Sequence, residues 1–265
     1  MRFLATFNSI NFQILGIPAY LFCAFTGFVV MTCAYIMLMS SKKYDIEQSM
    51  KILLTSIWGM LIGAKIFGIL TEIYRNIGNG EKVTFKVVRD TGIVFYGGLF
   101  GVLIIFMICL HSKHCVLDRY AVDVLAVCIP LFHSIARVGC FLSGCCFGKN
   151  YRGIFSINYI TTIDGNINES IRFPVQLVES VFEFLIFLYL LKLLSSEQWR
   201  EEKILMKYLG LYSIVRFILE YLRGDVRRGI ICGVSFSQCI SVFIWINLII
   251  FHIRQYKVCK QKGGL

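Results

Sequence analysis

Residues 17–39 read IPAYLFCAFTGFVVMTCAYIMLM, a run without one charged side chain. Wound as a helix, which rises ~1.5 Å per residue, such a run crosses the ~30 Å hydrocarbon layer of a bilayer. Its apolar residues are continuous rather than alternating, so a helix wins over a barrel strand; in lipid only those two structures satisfy every backbone N–H and C=O. Further runs of this kind lie near residues 52–71, 92–111, 121–138, 175–194, 204–222 and 235–253. The chain therefore reads as an all-α integral membrane protein of about seven transmembrane helices, with residues 1–265 as one polytopic membrane domain. The stretch 139–174 is rich in Gly, Asn, Thr and Ser, has no long apolar run, and reads as a small extracytoplasmic cap.

Composition agrees. Of 265 residues, 57% are hydrophobic and 16% charged, where a soluble domain carries about a quarter charged. The net charge of +11 does not point to nucleic acid, because no soluble basic domain or base-reading module holds it. In a membrane protein, basic residues at helix ends set orientation and meet anionic headgroups. Lys42, Lys43 and Lys51 in the first loop and Arg254, Lys257, Lys260 and Lys262 in the tail predict a cytoplasmic C-terminus and, over seven spans, an external N-terminus. Loops 72–91, 139–174 and 223–234 then face outside. Their own basic residues run against that rule and suit a lipid phosphate. No cleavable signal peptide is read in Met1–Gly16.

Eleven cysteines are many, but Cys23, Cys33, Cys109, Cys128 and Cys239 sit in apolar runs, where cysteine behaves as a small hydrophobe. An odd count in a chain of this size argues against a disulfide framework.

The ionisable residues inside the runs are Lys65, Arg137, Glu179, Glu183, Arg216 and Glu220, with Arg223 at a helix end. Such groups are costly in lipid and face a cavity or a partner. Glu179 and Glu183 share a helix face, as do Arg216 and Glu220. They read either as structural pairs that tie helices together or as a site. Arg137, Arg216 and Arg223 converging from different helices would make a phosphate clamp, since a guanidinium fork binds phosphate bidentately and keeps its charge.

Two stretches carry further information. Phe95-Tyr96-Gly97-Gly98-Leu99-Phe100-Gly101 opens the third run, and its glycines allow close backbone approach. His133-Ser134-Ile135-Ala136-Arg137-Val138-Gly139-Cys140-Phe141-Leu142-Ser143-Gly144-Cys145-Cys146-Phe147-Gly148-Lys149 ends the fourth run on an arginine and a Gly-punctuated turn. In register, Arg137, Gly139, Phe141, Gly144 and Gly148 resemble the signature Gly-Arg-x-Gly-Asn-Phe-x-Asn-Gly-Glu-x-x-Gly of the prolipoprotein diacylglyceryl transferase family. Tyr96-Gly97-Gly98 is similar to its His-Gly-Gly, Pro174-Val175-Gln176-Leu177-Val178-Glu179 to its Pro-x-Gln-Leu-Tyr-Glu, and Arg216-Phe217, Glu220 and Arg223 to its Arg-Phe-x-x-Glu-x-x-Arg. Tyr20 and Ser235-Phe236-Ser237-Gln238 resemble its first-span Tyr and last-span Ser-x-x-Gln. The motifs occur in family order over nearly the whole chain. The departures are Tyr96 for the His, Cys140 and Cys145 for the Asn and Glu, and a missing Pro-Asp after the last Arg motif, the marks of a cysteine-rich branch.

The resemblance implies a bacterial cytoplasmic-membrane enzyme that moves the diacylglyceryl group of phosphatidylglycerol to the lipobox cysteine thiol of a prolipoprotein signal peptide. It implies no metal or organic cofactor. Arg137 and Arg216 are then expected as phosphate clamps, with Arg223 supporting and Glu220 orienting. Tyr20, Gly97, Gly98, Gly139 and Gly148 are expected along the substrate. For the proton acceptor, Tyr96 is a poor base at an ordinary pKa near ~10. His133, one turn before Arg137, reads either as its substitute or as a hydrogen-bonded structural residue; if it is the base, its replacement by Asn is expected to abolish transfer. Cys140, Cys145 and Cys146 admit three readings: inert packing, a disulfide or redox pair, or a metal site. Against the last, adjacent cysteines fit tetrahedral zinc awkwardly, and His133 or Cys232 would have to approach as a fourth ligand. The rival functions are a same-fold paralogue that transfers a lipid or glycerophosphate group to another acceptor, and a non-catalytic lipid-binding membrane protein. A transporter is disfavoured, because no two-halves repeat or pair of broken helices is present.

Overall fold

A computed structural model of the chain describes residues 5–9, 12–42, 46–78, 80, 91, 95–111, 119–163, 166–196, 203–224, 230–231 and 234–262. Among them are seven helices: α1 Ala19–Ser41, α2 Ile46–Gly78, α3 Phe95–His111, α4 Arg119–Leu142, α5 Val175–Leu194, α6 Ile204–Glu220 and α7 Phe236–Lys262. Each falls on one of the apolar runs. By length and composition, α1, α4, residues 49–78 of α2 and residues 236–254 of α7 are long and apolar enough to cross a membrane. Helices α3 and α6 have 17 residues, and α5 carries Glu179, Glu183 and Lys192. Much of the expected 72–91 and 223–234 loops lies outside the described residues.

The chain forms two compact units, Met1–Tyr35 with Ala126–Leu265, and Ile36–Leu125. In the second, α2 packs against α3 through glycines spaced four apart on both helices, Gly59 and Gly63 facing Gly97 and Gly101. A Cβ on Gly101 would overlap the Gly59 carbonyl, and one on Gly97 would overlap Phe67 Cβ. These are small-residue contacts of the kind that bring membrane helices together. Lys65 on α2 donates to the Thr91 carbonyl at 2.8 Å, and Tyr96 is buried.

The first unit holds α5, α6, α7 and the adjoining parts of α1 and α4. Its polarity is inverted relative to a soluble domain. Along α5 the buried side chains include Gln176, Glu179, Ser180 and Glu183, while Val181, Phe182, Phe184, Leu185, Leu188 and Tyr189 are exposed. Apolar side chains facing out and ionisable ones facing in is the arrangement a bilayer demands. Gly139 lets α4 approach α1: a Cβ there would lie 2.7 Å from Cys23 Cβ and 3.4 Å from Tyr20 Cα. Helix α5 is tied to α4 by the Ser180 hydroxyl, which donates to the Ser134 carbonyl at 2.8 Å. Helix α7 starts with a reciprocal cap, Gln238 N–H donating to Ser235 Oγ at 3.2 Å and Ser235 N–H donating to Gln238 Oε1 at 3.0 Å. This is the capping box of a Ser-x-x-Gln sequence, so that motif sets the entry of the last helix.

Beyond Leu142 the chain leaves the helix and builds a sheet. Strand β1 Ala5–Asn8 runs parallel to β4 Ile157–Ile163 in the register Ala5↔Ile157 to Asn8↔Ile160, and β4 pairs antiparallel with β5 Asn166–Arg172. Two-residue pairs join β2 Gln13–Ile14 to β3 Ile17–Pro18 and β6 Ile230–Ile231 to β7 Val234–Ser235. The stretch expected to be a cap thus begins in the last turn of α4 and continues as a hairpin extended by the N-terminal strand. Tyr159 of β4 is fully buried, with the Phe141 ring edge-on at 5.7 Å.

Candidate functional site

Three helices of the first unit aim their ionisable residues at one another. Helix α4 supplies Arg137, α5 supplies Glu179 and α6 supplies Arg216. Arg137 Nη2 lies 2.9 Å from Glu179 Oε1, and Arg216 Nη1 lies 3.6 Å from the same oxygen. One carboxylate thus holds two guanidiniums from two other helices, and all three side chains are buried. Arg216 Nη2 also lies 3.0 Å from Glu220 Oε2 and donates to Ser237 Oγ on α7 at 3.3 Å. Among the described residues Arg216 Nη1 makes no hydrogen bond, and neither does Glu179 Oε1. Their contact is therefore ionic rather than an aligned bond, and the Arg216 fork keeps a donor uncommitted.

His133 lies one turn before Arg137 and meets Glu183 of α5, which lies one turn beyond Glu179. Arg137 Nε–H donates to His133 Nε2 at 3.1 Å, and His133 Nδ1 is 3.2 Å from Glu183 Oε1. This pattern selects the tautomer with the proton on Nδ1, since Nε2 must offer its lone pair to the arginine. The Tyr212 ring of α6 packs beside the imidazole, with centroids 5.5 Å apart.

After α4 the chain turns sharply. Gly144 and Cys146 both take left-handed backbone angles, φ 63° and 57°. Cys145 N–H donates to the Cys140 carbonyl at 3.1 Å, and Gln176 Nε2 donates to the Cys145 carbonyl at 2.8 Å. The Gln176 amide oxygen accepts from the Tyr159 hydroxyl at 3.4 Å. The turn brings the sulfurs of Cys140, Cys145 and Cys146 within 4.8 Å of one another, with Arg137 Nη1 3.9 Å from Cys140 Sγ. Hydrogen bonds from Cys140 and Cys145, helped by the charges of Arg223 and Arg137, push the Cys146 thiol down; hydrogen bonding to Cys140 and Cys146 pushes Cys145 up. Gly148 then pairs with Arg223 in an antiparallel bridge. A Cβ at 148 would overlap the Phe173 carbonyl, so only glycine fits there. Arg223, its partner in that bridge, is itself buried.

Of the residues singled out from the sequence, Arg137, Arg216, Glu220 and His133 meet in one ionic network, and Gly139 and Gly148 are close-approach points that shape its surroundings. Tyr20 is half-buried on α1 opposite Gly139. Tyr96, Gly97 and Gly98 belong to the other unit, where Gly97 and Gly98 lie against α2. Cys232 lies outside the described residues. Sequence reasoning did not place Glu179 at the centre, nor Glu183, Gln176 and Ser237 as supports. The signal was available, because Gln176 and Glu179 belong to the Pro-x-Gln-Leu-x-Glu motif and Glu183 lies one turn further on the same face.

Comparison with known proteins agrees along nearly the whole length. The family profile described as prolipoprotein diacylglyceryl transferase matches residues 9–254. The chain is 28% identical over 252 residues to the phosphatidylglycerol–prolipoprotein diacylglyceryl transferase of Clostridium tetani (strain Massachusetts / E88), covering 93% of this chain and 97% of that protein. It is also 28% identical to phosphatidylglycerol–prolipoprotein diacylglyceryl transferase 2 of Clostridium perfringens (strain 13 / Type A), over 94% of this chain and 95% of that one. Against the enzyme of the same name from Campylobacter jejuni subsp. jejuni serotype O:23/36 (strain 81-176), identity is 25%, with 94% of each chain covered.

Proposed function

The chain belongs to the prolipoprotein diacylglyceryl transferase family, and from that premise we propose that its buried arginine network is the catalytic site. The protein is a membrane transferase of lipoprotein biosynthesis that moves the diacylglyceryl group of phosphatidylglycerol to a prolipoprotein. The acceptor atom is the thiol of the lipobox cysteine. The observation that carries the site is the convergence of Arg137 and Arg216, from separate helices, on the single carboxylate of Glu179.

The reaction asks for a thiolate, which attacks the glycerol carbon next to the phosphate. The S–C bond forms, the C–O bond breaks, and glycerol phosphate leaves with the electron pair. Charge therefore builds on a phosphate oxygen, and guanidiniums held in place beforehand are what lowers that barrier. Arg216 Nη1 has a donor to give, and Glu179 holds both forks without saturating them. Arg223 supports the pair from the turn and Glu220 orients Arg216. The protein lies in the bacterial cytoplasmic membrane; the basic tail supports a cytoplasmic C-terminus and, with seven spans, an external N-terminus. The arginine site then faces the side where exported prolipoproteins emerge.

His133 is a positioning residue in this scheme. Its Nε2 lone pair is engaged by Arg137 and its Nδ1 faces Glu183, so it fixes the guanidinium rather than taking a substrate proton. His133→Ala is expected to lower turnover about 10-fold, short of the ~10²–10⁴ that a general base contributes, and to leave the shape of the pH–rate profile unchanged. Loss of a limb of that profile would restore the base assignment.

The function is tested by complementing a bacterial strain depleted of its own diacylglyceryl transferase. Mass spectrometry of a reporter lipoprotein should show a diacylglyceryl thioether on its N-terminal cysteine, absent with Arg137→Ala. A well-expressed protein that leaves the reporter unmodified would overturn the acceptor assignment.

A further inference from the structure

The three cysteines that follow Arg137 are closer together than their sequence spacing suggests. Neighbouring residues in extended chain point their side chains apart, which made Cys145 and Cys146 poor joint ligands on sequence grounds. The left-handed angle at Cys146 and the Gly144 turn remove that objection by folding both side chains back towards Cys140 on the last turn of α4. Left-handed backbone at a residue with a β-carbon is disfavoured and persists where the surroundings impose it. Here the Gln176 amide and the Cys140 carbonyl hold the turn. Zinc–sulfur bonds of ~2.3 Å in tetrahedral array place sulfurs roughly 3.8 Å apart. The three sulfurs lie within 4.8 Å of one another, so shortening those separations by about 1 Å at most brings them to ligating distance.

We propose that Cys140, Cys145 and Cys146 form a zinc site of three thiolates whose fourth position receives the acceptor's cysteine thiol. The inference rests on the transferase reading for the identity of that thiol. Three protein ligands and one open position are the hallmark of catalytic rather than structural zinc, and soft thiolates select zinc over the hard divalent cations. Arg137, with Nη1 3.9 Å from Cys140 Sγ, offsets the negative charge that three or four thiolates would gather.

This site supplies what the arginine network lacks. His133 has its Nε2 lone pair committed to Arg137, yet the acceptor thiol must lose its proton. A thiol bound to zinc is deprotonated outright. The proton passes to solvent on coordination, and the sulfur attacks the glycerol carbon. The C–O bond to phosphate breaks, and glycerol phosphate leaves with the electron pair between Arg137 and Arg216. The product thioether carries no charge, binds zinc more weakly than the thiolate, and departs. No oxidant or reductant enters. The two cysteines that replace the Asn and Glu of the family signature are two of the three ligands, so the departures from that pattern form one device.

The test uses the full-length protein in detergent with reductant, stripped by chelator and then titrated with cobalt(II) and, in competition, zinc. Wild type is expected to bind one equivalent with thiolate-to-cobalt charge-transfer absorption. Cys140→Ser, Cys145→Ser and Cys146→Ser should each weaken that band, and Cys33→Ser, at an exposed site on α1, should leave it unchanged. A reduced lipobox peptide should intensify the band, and its Cys-to-Ser analogue should not. Stripping should cut transfer by ~10²-fold or more, the scale of a lost proton-transfer contribution, and zinc should restore it. Wild type that binds no metal, with chelator-resistant transfer, overturns the proposal and leaves the transferase standing. A band indifferent to the peptide overturns the open position. Metal and peptide bound by wild type without any transfer sinks the reaction reading and supports the thiol-binding site.

Discussion

Arg216→Ala is expected to lower diacylglyceryl transfer by ~10²–10³-fold, the usual loss when a preorganised donor to developing negative charge is removed. Its Nη2 is taken by Glu220 and Ser237, at 3.0 and 3.3 Å, but its Nη1 makes no hydrogen bond among the described residues. A buried guanidinium N–H without an acceptor is costly, and a phosphate oxygen satisfies it. The need is greatest when the leaving group carries its full charge, so kcat should fall more than KM rises. Arg216→Lys separates charge from shape. The ammonium keeps the charge, but it cannot span Glu220, Ser237 and a phosphate at once, and most of the loss should persist in protein of normal abundance. Steady-state kinetics with labelled phosphatidylglycerol and a prolipoprotein peptide measures this. A raised KM at unchanged kcat would make Arg216 a binder of the resting headgroup only, and unchanged kinetics would remove it from the site.

The helices were legible because lipid imposes a length and a continuous apolar composition on each, and the seven expected runs coincide with seven helices. The sheet was less so. The cue was there in Asp164-Gly165, a hairpin dipeptide between two seven-residue stretches. The parallel pairing of Ala5–Asn8 with a strand some 150 residues away leaves no local trace, because register over such a distance is set by tertiary packing. The site divides in the same way. That Arg137 and Arg216 would converge was readable, since buried charge in lipid must find a partner. Which partner was not. Glu179 and Glu220 were equally eligible from sequence, and only the packing of α5 between the two arginines puts Glu179 at the centre. The orientation of His133 was likewise invisible, because a tautomer is chosen by neighbours from two helices. For the cysteines, spacing alone did not show how near the three sulfurs lie: the left-handed turn at Cys146 is a backbone property that no residue type announces.

Glu179→Gln is expected to destabilise the protein by ~3–5 kcal/mol, the cost of leaving buried charge without its partner. For a chain of this size the thermal midpoint in detergent should fall by on the order of 10 °C. The amide keeps the shape and much of the hydrogen-bonding capacity of the carboxylate and removes only its charge. The loss therefore reports the two guanidiniums at 2.9 and 3.6 Å, which Glu179, itself 1% exposed, neutralises together. The informative variant is the double Arg137→Met with Glu179→Met. Replacing both members of a buried ion pair with apolar side chains of similar volume is often neutral or stabilising, and Arg216 retains Glu220. The double variant should thus regain most of the lost midpoint while transferring nothing. Recovery of stability without activity would mean that the fold does not need this network for its own sake, and that the charges are kept buried for the phosphate they hold. A Glu179→Gln protein as stable as wild type would instead show that water reaches the arginines, and would weaken the case for a dry, preorganised clamp.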